Sequence, residues 1–327
     1  MPQIYWTPIH SKVHQTLRQR ALLPAGEKVL IAVSGGQDSL CLGKLLLDLR
    51  SKWNWQLAIA HCDHQWSTDA GIATRVKEIA SNWQLPFYLK IAPSLKETEA
   101  AARTWRYQAL IEIAREQQFN YIVTGHTKSD RAETLLYNLI RGSGTDGLAA
   151  LTWKRLLTDE ISLIRPILDI YRHETLEFCQ QFNLPVWFDA VNENKHYARN
   201  RIRGELIPYL QQSFNPQVES SLAQTAEILR ADTEYLEMNA TKLLQQAQIS
   251  DNQLDRFILR TAPIALQRRA IRQFLPLVMS RQPNFEQIAA VVNLIDAPNK
   301  SRTSSLPGGA IAEVVGQWII FNNVNQL

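Results

Sequence analysis

The sequence predicts an α/β fold: a doubly wound parallel sheet followed by a second, smaller and mainly helical domain. Two observations support this. In the first part of the chain, short apolar runs alternate with helical segments, and strands joined by helices pair in parallel with helices on both faces. After about residue 200 the alternation stops and long helical patterns follow one another.

The first domain contains five apolar runs that predict strands: residues 29–33, 56–62, 87–92, 121–125 and 162–168. The segments between them predict helices over residues 38–53, 68–83, 96–118 and 129–142. Ligands of such sheets bind beyond the carboxyl ends of the strands. Three of these ends carry unusual polar sequences, SGGQDS, HCDH and GHTKSD, and we expect them to face the same side.

The second domain begins near residue 215, at the sequence SFNPQ, which gives predicted domains of residues 1–215 and 216–327. Helices are predicted over residues 218–247, 262–278 and 284–297. Residues 303–323 predict a β-hairpin with its turn at Gly308–Gly309.

Composition excludes several classes of protein. The three cysteines, Cys41, Cys62 and Cys179, are far apart, which argues against a disulfide framework, a zinc site or an iron–sulfur cluster and favours a reducing compartment. The start of the sequence lacks the apolar core of a signal peptide, and no apolar run is long enough to span a membrane. We therefore expect a cytoplasmic protein, and its net charge of +4 is only a weak indication of an anionic partner.

The loop after the first strand, Ser34–Ser39, has the composition of a phosphate-binding turn. Its two glycines and the helix that follows turn backbone N–H groups outward, and the hydroxyls add side-chain donors. Its spacing matches neither G-x-x-x-x-G-K-[ST] nor G-x-G-x-x-G. Because the Asp38 carboxylate would repel phosphate, we expect Asp38 to bind Mg²⁺ that bridges it to phosphate oxygens. The alternative is a glycine turn in which Ser34 or Asp38 only caps the next helix.

The hexapeptide SGGQDS resembles the signature of the PP-loop ATP pyrophosphatases, whose fold is of the adenine nucleotide α-hydrolase type. The resemblance implies that ATP is cleaved between its α- and β-phosphates. AMP then passes to a carbonyl-type oxygen of the substrate, and pyrophosphate is released.

Four further segments, residues 61–70, 99–107, 124–151 and 199–210, resemble the tRNA(Ile)-lysidine synthases, in a short form with one C-terminal domain. The resemblance implies a ligase that forms a C–N bond. With ATP and Mg²⁺, such an enzyme adenylates the C2 oxygen of the first anticodon cytidine in a CAU-bearing isoleucine tRNA. The ε-amine of free L-lysine then displaces AMP and forms lysidine.

This resemblance implies a role for each candidate residue. Asp130 and Glu133 would hold lysine, since their i, i+3 spacing places both carboxylates on one helix face. The candidate catalytic residues are Asp38, Arg103, Arg106, His126, Asp130 and Glu133. The candidate nucleotide-binding residues are Ser34, Gly35, Gly36, Gln37, Asp38, Ser39, His61, Asp63 and Gly125. The alternatives are helix capping for the carboxylates and solvated surface for the arginines.

The lysine chemistry contains a conflict over protonation. The attacking amine must be neutral, and deprotonating lysine at pH 7 costs roughly 4.6 kcal/mol. Nearby carboxylates raise that cost, so one of them is expected to accept the proton, and the sequence does not separate Asp130 from Glu133. The chain also has Ser129 where the family often has an acid, and Arg131 where it often has an amide, which leaves a second metal ligand open.

Contact with RNA is predicted for the basic segment that ends the first domain. We expect Lys195, Arg199, Arg201 and Arg203 to bind tRNA phosphates, although the same arginines could instead tie the last helix to the sheet. Arg268, Arg269 and Arg272 form a second basic segment. Trp66, Trp105 and Trp187 are candidates for stacking on a flipped-out base, with burial in the core as the alternative.

Three other functions stay open: a tRNA thiolase that uses Cys62, an ammonia-dependent synthetase of small molecules, and a non-catalytic RNA-binding protein on an ATPase scaffold. The sequence also leaves the oligomeric state open, with a homodimer as one option.

Overall fold

The computed structural model describes residues 5–66, 69–93, 98–187 and 197–323. The chain divides into two compact units between Arg230 and Ala231, inside a long helix. The domain bounds expected from sequence, which lie nearer residue 215, stay a prediction.

The first unit is built on a six-stranded sheet, and the expected doubly wound parallel architecture is confirmed. Its strand order is β3-β2-β1-β4-β6-β5, and only the edge pair β5–β6 is antiparallel. The strands are β1 (Lys28–Ala32), β2 (Gln56–Asp63), β3 (Phe87–Ile91), β4 (Tyr121–Val123), β5 (Lys154–Leu156) and β6 (Ser162–Ile164). Sequence reasoning did not predict β5, because it is short and fully exposed and so lacks an alternating pattern.

Helices cover both faces of this sheet. In chain order they are α1 (Pro8–Gln19), α2 (Gln37–Trp53), α3 (Ile72–Asn82), α4 (Glu99–Glu116), α5 (Lys128–Ile140), α6 (Thr145–Leu148), α7 (Arg172–Gln181), α8 (Ala198–Arg201) and α9 (Ile207–Ser213). A π-helical turn, Ile202–Leu206, joins α8 to α9. Such turns are rare and are frequent at functional sites.

The side chains of β1 show how the two cores form. Val29 and Ile31 pack with α1, α2, α3 and α7 on one face, whereas Leu30 packs with α4 on the other. All three are fully buried, as expected for a central strand whose side chains alternate between two covered faces.

The second unit combines helices with a small antiparallel sheet of order β7-β8-β10-β9. The long helix α10 (Val218–Ala247) begins before the unit boundary. It is followed by β7 (Gln248–Ser250), β8 (Gln253–Asp255), α11 (Arg256–Arg260), α12 (Ile264–Phe274), α13 (Phe285–Asn293), β9 (Ala310–Val315) and β10 (Trp318–Asn323). The strands β7 and β8 were not predicted.

The predicted turn at Gly308–Gly309 exists, and the segment before it pairs antiparallel with β9 through the Arg302–Glu313 bridge, but the second reversal that forms the β9–β10 hairpin was not predicted. The regular hairpin pairs β9 with β10, and the chain reverses at Gly316, whose φ is +60°. Gly308 and Gly309 also adopt positive φ, yet they form an earlier turn that leads into β9. Two glycine turns lie in one stretch, and alternation alone did not distinguish them.

The strand order reverses at β1, which lies between β2 and β4. The loops that leave β1 and β4 therefore separate at the carboxyl edge and leave a crevice between them. In the described ranges, no helix combines the length and hydropathy that crossing a lipid bilayer requires.

Candidate active site

A cavity of about 440 Å³ opens at this crevice and brings together most of the predicted site residues. Those that line it are Ser34, Gly36, Gln37, Asp38, Ser39, His61, Arg103, Arg106, Gly125, His126, Asp130, Glu133, Arg199 and Arg203. Gly35, Asp63 and Arg201 are not among its lining residues. Lys195 lies outside the described residues.

The first wall of the cavity is the loop Ser34–Ser39, here called the phosphate turn. Gly35 adopts a φ of +89°, which favours glycine, and its carbonyl accepts a hydrogen bond of 3.0 Å from the Trp187 N–H. The backbone N–H and the hydroxyl of Ser34 both donate to Ser39 Oγ at 3.2 Å. The Ser39 hydroxyl in turn donates to the Gly36 carbonyl at 2.9 Å, so the turn is closed by its own hydrogen bonds.

Gly125 lets the end of β4 approach this turn closely. A Cβ atom at residue 125 would lie 2.7 Å from the Asp38 carbonyl oxygen and 2.9 Å from the Ser39 nitrogen. Both are backbone atoms at the start of α2, which side-chain rotation cannot move. This close packing between two backbone segments explains why residue 125 is a glycine.

Asp38 faces α7, which sequence reasoning did not connect to the site. Its carboxylate accepts a hydrogen bond from the Thr175 hydroxyl and lies 3.3 Å from Arg172 Nη1. Burial raises the pKa of Asp38 to about 6, although Arg172 opposes that shift. The Gln37 side-chain amide also donates to α7, at the Arg172 carbonyl, 2.7 Å away, so this amide is engaged by protein.

Arg172 and Thr175 are thus site residues that the sequence analysis missed. They lie more than 130 positions from Asp38, and no motif in that helix marks them. Only the packing of α7 against α2 brings them to the carboxylate.

The other wall is formed by the N-cap and the first two turns of α5, residues 127–134, here called the carboxylate turn. Thr127 donates both its N–H and its hydroxyl to Asp130 Oδ2, at 2.7 and 2.8 Å, in a capping box. Burial alone would raise the pKa of Asp130, but the neighbouring His126 imidazole, these hydrogen bonds and the nearby Arg203 guanidinium hold it below its usual value.

Glu133 is paired within the protein. Arg203 donates from Nε and Nη2 to its two carboxylate oxygens, at 2.6 and 2.8 Å, and also approaches Asp130 Oδ1 at 3.4 Å. The Glu133 side chain is only 3% exposed, and burial raises its pKa despite this partner. The Asp130 side chain is 21% exposed, so Asp130 is the more accessible of the two carboxylates.

The two predicted histidines are neutral hydrogen-bonding groups. Burial lowers the pKa of His126 to about 3, and its Nδ1 lies 2.9 Å from the Thr124 hydroxyl. Burial also lowers the pKa of His61, whose Nδ1 lies 2.8 Å from the Val33 carbonyl. Neither imidazole carries a charge at neutral pH, so each offers the cavity a dipole rather than a cation.

The α4 side of the cavity contains polar nitrogens that no described residue satisfies. Arg106 Nε, His64 Nε2 and Trp66 Nε1 are buried without a hydrogen-bond partner in the part of the chain that the structure describes. All three residues line the cavity. Buried donors normally have partners, so this side fits a ligand rich in acceptors, such as the phosphates and base of a nucleotide.

Asp38 is the carboxylate of the phosphate turn that could hold a metal ion. Among the described residues, no three side chains of His, Cys, Asp or Glu group together as a metal site. Mg²⁺ commonly takes one or two carboxylates and completes its shell with waters and substrate phosphates. A single carboxylate beside the phosphate turn fits that pattern. Asp63 does not line the cavity, and its carboxylate accepts a hydrogen bond from the Gln65 N–H at 2.8 Å.

The predicted RNA-binding arginines differ in their surroundings. Arg203 is engaged by the carboxylates of α5 rather than by the sheet. Arg199 lies over the Tyr137 ring at 5.6 Å, and Arg201 is exposed. In the second unit, Arg269 and Arg272 each contact Glu237 at 2.6 Å, which partly neutralises that basic segment.

The tryptophans and cysteines also differ in whether they line the cavity. Trp66 and Trp187 line the cavity, whereas Trp105 packs edge-on against His64. Cys62 lines the cavity too, but burial raises the pKa of its thiol to about 12. Cys41 and Cys179 are buried free thiols. A protonated thiol without a cysteine partner is a poor nucleophile.

Comparison with known proteins identifies the family of the chain. The family model of the PP-loop domain matches residues 7–210. A tRNA(Ile)-lysidine synthase from a Nostoc species is 54% identical and covers 97% of this chain and 98% of its own length. Another, from a Synechocystis species, is also 54% identical, over 96% of this chain and 97% of its own.

A solved structure, the U34-tRNA thiolase NcsA from Methanococcus maripaludis with its 4Fe–4S cluster, has a TM-score of 0.59 at 20% identity. It covers 68% of this chain and 77% of its own, and at that identity the likeness shows the shared fold alone. The full-length relatives carry the assignment. The chain belongs to the tRNA(Ile)-lysidine synthase family.

Proposed function

We propose that this enzyme ligates L-lysine to C2 of the first anticodon cytidine of CAU-bearing tRNA(Ile). ATP first adenylates the C2 oxygen and pyrophosphate leaves. The lysine ε-amine then displaces AMP and gives lysidine. The observation that carries the proposal is the single cavity that joins the phosphate turn to Asp130 and Glu133.

The phosphate turn and the α4 arginines suit the first step. Backbone N–H groups at the start of α2 would hold the ATP phosphates, and Arg103 and Arg106 would stabilise charge that develops on the leaving pyrophosphate. Asp38 would hold Mg²⁺, which supplies charge neutralisation to the phosphates when bound. Gly125 lets the end of β4 pack directly against the backbone of this turn.

The carboxylate turn suits the second step. Asp130 would receive the lysine ammonium, with Glu133 adding negative charge behind it. Arg203 offsets part of that charge, which limits how far the carboxylates raise the pKa of the bound amine. Lysine would therefore meet a site that attracts its cation and offers a carboxylate, Asp130 or Glu133, to accept its proton as the amine attacks.

The tRNA would approach along the segment that carries Arg199 and Arg201. A homodimer and a cytoplasmic location stay predictions, which light scattering and cell fractionation would test.

The test combines the protein, ATP, Mg²⁺, labelled lysine and an isoleucine tRNA with a CAU anticodon. We expect lysine incorporation with AMP and pyrophosphate in equal amounts. A tRNA with another anticodon is the control. ADP as the product, or adenylation of a small molecule without tRNA, would overturn the proposal, and sulfur incorporation that requires Cys62 would favour a thiolase.

A further inference from the structure

The carboxylate turn also contains Arg131, a residue that the proposed chemistry does not use. Arg131 is one of the largest fully buried side chains of the chain, at 2% exposure. Helical geometry rotates successive side chains by about 100°, so Arg131 points roughly 160° away from Glu133, toward the back of α5. There its guanidinium pairs with Glu227 of α10 through a short hydrogen bond.

Glu227 connects four separate parts of the first unit. Besides Arg131, it accepts from Arg20 Nη1 at 2.8 Å, at the end of α1, and from Trp153 Nε1 at 3.0 Å, just before β5. The two guanidiniums also lie over the Trp153 ring, at 4.2 Å for Arg20 and 5.6 Å for Arg131. A carboxylate with this many charged and polar partners is held in one position.

Ion pairs therefore hold the carboxylate turn from two nearly opposite sides. Arg203 contacts Glu133 and Asp130 on the cavity side, and Glu227 contacts Arg131 on the far side. Rotation of the first turn of α5 about its axis would break one pair or the other. The lysine-binding carboxylates are consequently fixed by a residue that lies outside the cavity lining.

We propose that Glu227 is a positioning residue for lysine transfer, which it serves by holding Arg131 and with it the orientation of Asp130 and Glu133. The inference rests on the proposed function. Its physical basis is that attack by an amine requires close alignment, and a misplacement of about 1 Å can reduce a rate on the order of a hundredfold. Adenylation uses the other wall of the cavity and should depend on Glu227 much less.

The experiment compares Glu227→Gln, Arg131→Gln and the double variant with the unaltered protein. Adenylated tRNA is measured with α-labelled ATP in the absence of lysine, the KM for lysine is measured at saturating ATP and tRNA, and Tm is recorded. For E227Q we expect the KM for lysine to rise about tenfold and lysine transfer to adenylated tRNA to slow by at least about tenfold, with adenylation within about twofold.

The double variant separates positioning from stability. E227Q leaves a buried guanidinium without its carboxylate, so its Tm should fall, and removing both charges should restore much of that loss. We expect the KM for lysine to stay raised in the double variant even as Tm recovers. If KM and Tm recover together, or both partial reactions fall in proportion, Glu227 is structural only and the inference is overturned.

Asp232→Asn provides the matched control, since Asp232 is an exposed acid on the same helix. It should leave the two reactions and Tm unchanged. If the unaltered protein adenylates no tRNA or transfers no lysine, the proposed function fails, which is a different result from a variant with an unchanged KM.

Discussion

The two walls of the cavity are built in different ways. The phosphate turn is closed by hydrogen bonds among its own residues, Ser34, Gly36 and Ser39, all within five positions. The carboxylate turn has a local cap from Thr127, but its charges are balanced by Arg203 and Glu227, which lie 70 and 96 positions away from their partners.

The difference follows from the ligand that each wall suits. Phosphate is bound by several neutral hydrogen-bond donors arranged around it. Glycines and the N-terminus of a helix provide such donors locally. A cationic amine needs negative charge, and buried carboxylates are stable only with counter-ions, which must come from other elements. The loop of the first wall is closed locally, although its carboxylate, Asp38, pairs with Arg172 of α7, whereas the charges of the second wall are balanced from distant elements.

The largest expected effect is on the phosphate turn. Asp38→Ala removes the carboxylate that would hold Mg²⁺, so we expect tRNA adenylation to fall by about 100- to 1,000-fold. Pyrophosphate release in the absence of lysine measures it. Near-normal pyrophosphate release would contradict the role given to Asp38.

The second prediction concerns a change in the carboxylate turn alone. Glu133→Gln keeps the shape of the side chain but leaves Arg203 facing a neutral amide, so lysine transfer should fall by about 100-fold. Adenylated tRNA should then accumulate, which gel analysis with α-labelled ATP detects. A parallel loss of adenylation would mean that the two walls do not act separately.

A third change affects the contact between the walls. Gly125→Ala places a methyl group against the backbone of Asp38 and Ser39, and we expect the free energy of unfolding to fall by about 1–3 kcal/mol. Urea denaturation measures this. Gly204→Ala is the control, because no atom lies within 4 Å of a Cβ there, and it should be neutral or slightly stabilising.

The smallest effect is expected for Cys62→Ser. The thiol of Cys62 has a pKa of about 12, and its nearest polar contact is the Arg106 carbonyl at 3.9 Å. Lysine incorporation should stay within about twofold of normal. A loss beyond tenfold, with Tm unchanged, would return the thiolase alternative to consideration.

The same contrast explains what could be predicted from the sequence. The parallel sheet, the position of the phosphate turn and the helical spacing of Asp130 and Glu133 depend on patterns of a few residues, and the sequence contains them directly. Arg172 beside Asp38 and Glu227 beside Arg131 depend on which helices pack together. No local pattern encodes such a pairing, so these contacts were not foreseen.

Arg203 shows why charge alone was a weak guide. In the sequence it belongs to a run of arginines without acids, which predicts a phosphate contact. In the fold its guanidinium faces two carboxylates from α5, and the nearest anion in space is not the nearest in sequence. Its contact with tRNA stays a prediction.

The bonds from Thr127 to Asp130 have a consequence for redesigning the enzyme to accept other amines. Asp130 belongs to the capping box that begins α5 and also faces the cavity, so replacing it would disturb the helix start together with the lysine contact proposed for it. Glu133 has no capping duty and takes its geometry from Arg203. Under the proposed function, we therefore expect a joint exchange of Glu133 and Arg203 to change which amine is accepted while the cap of α5 stays in place.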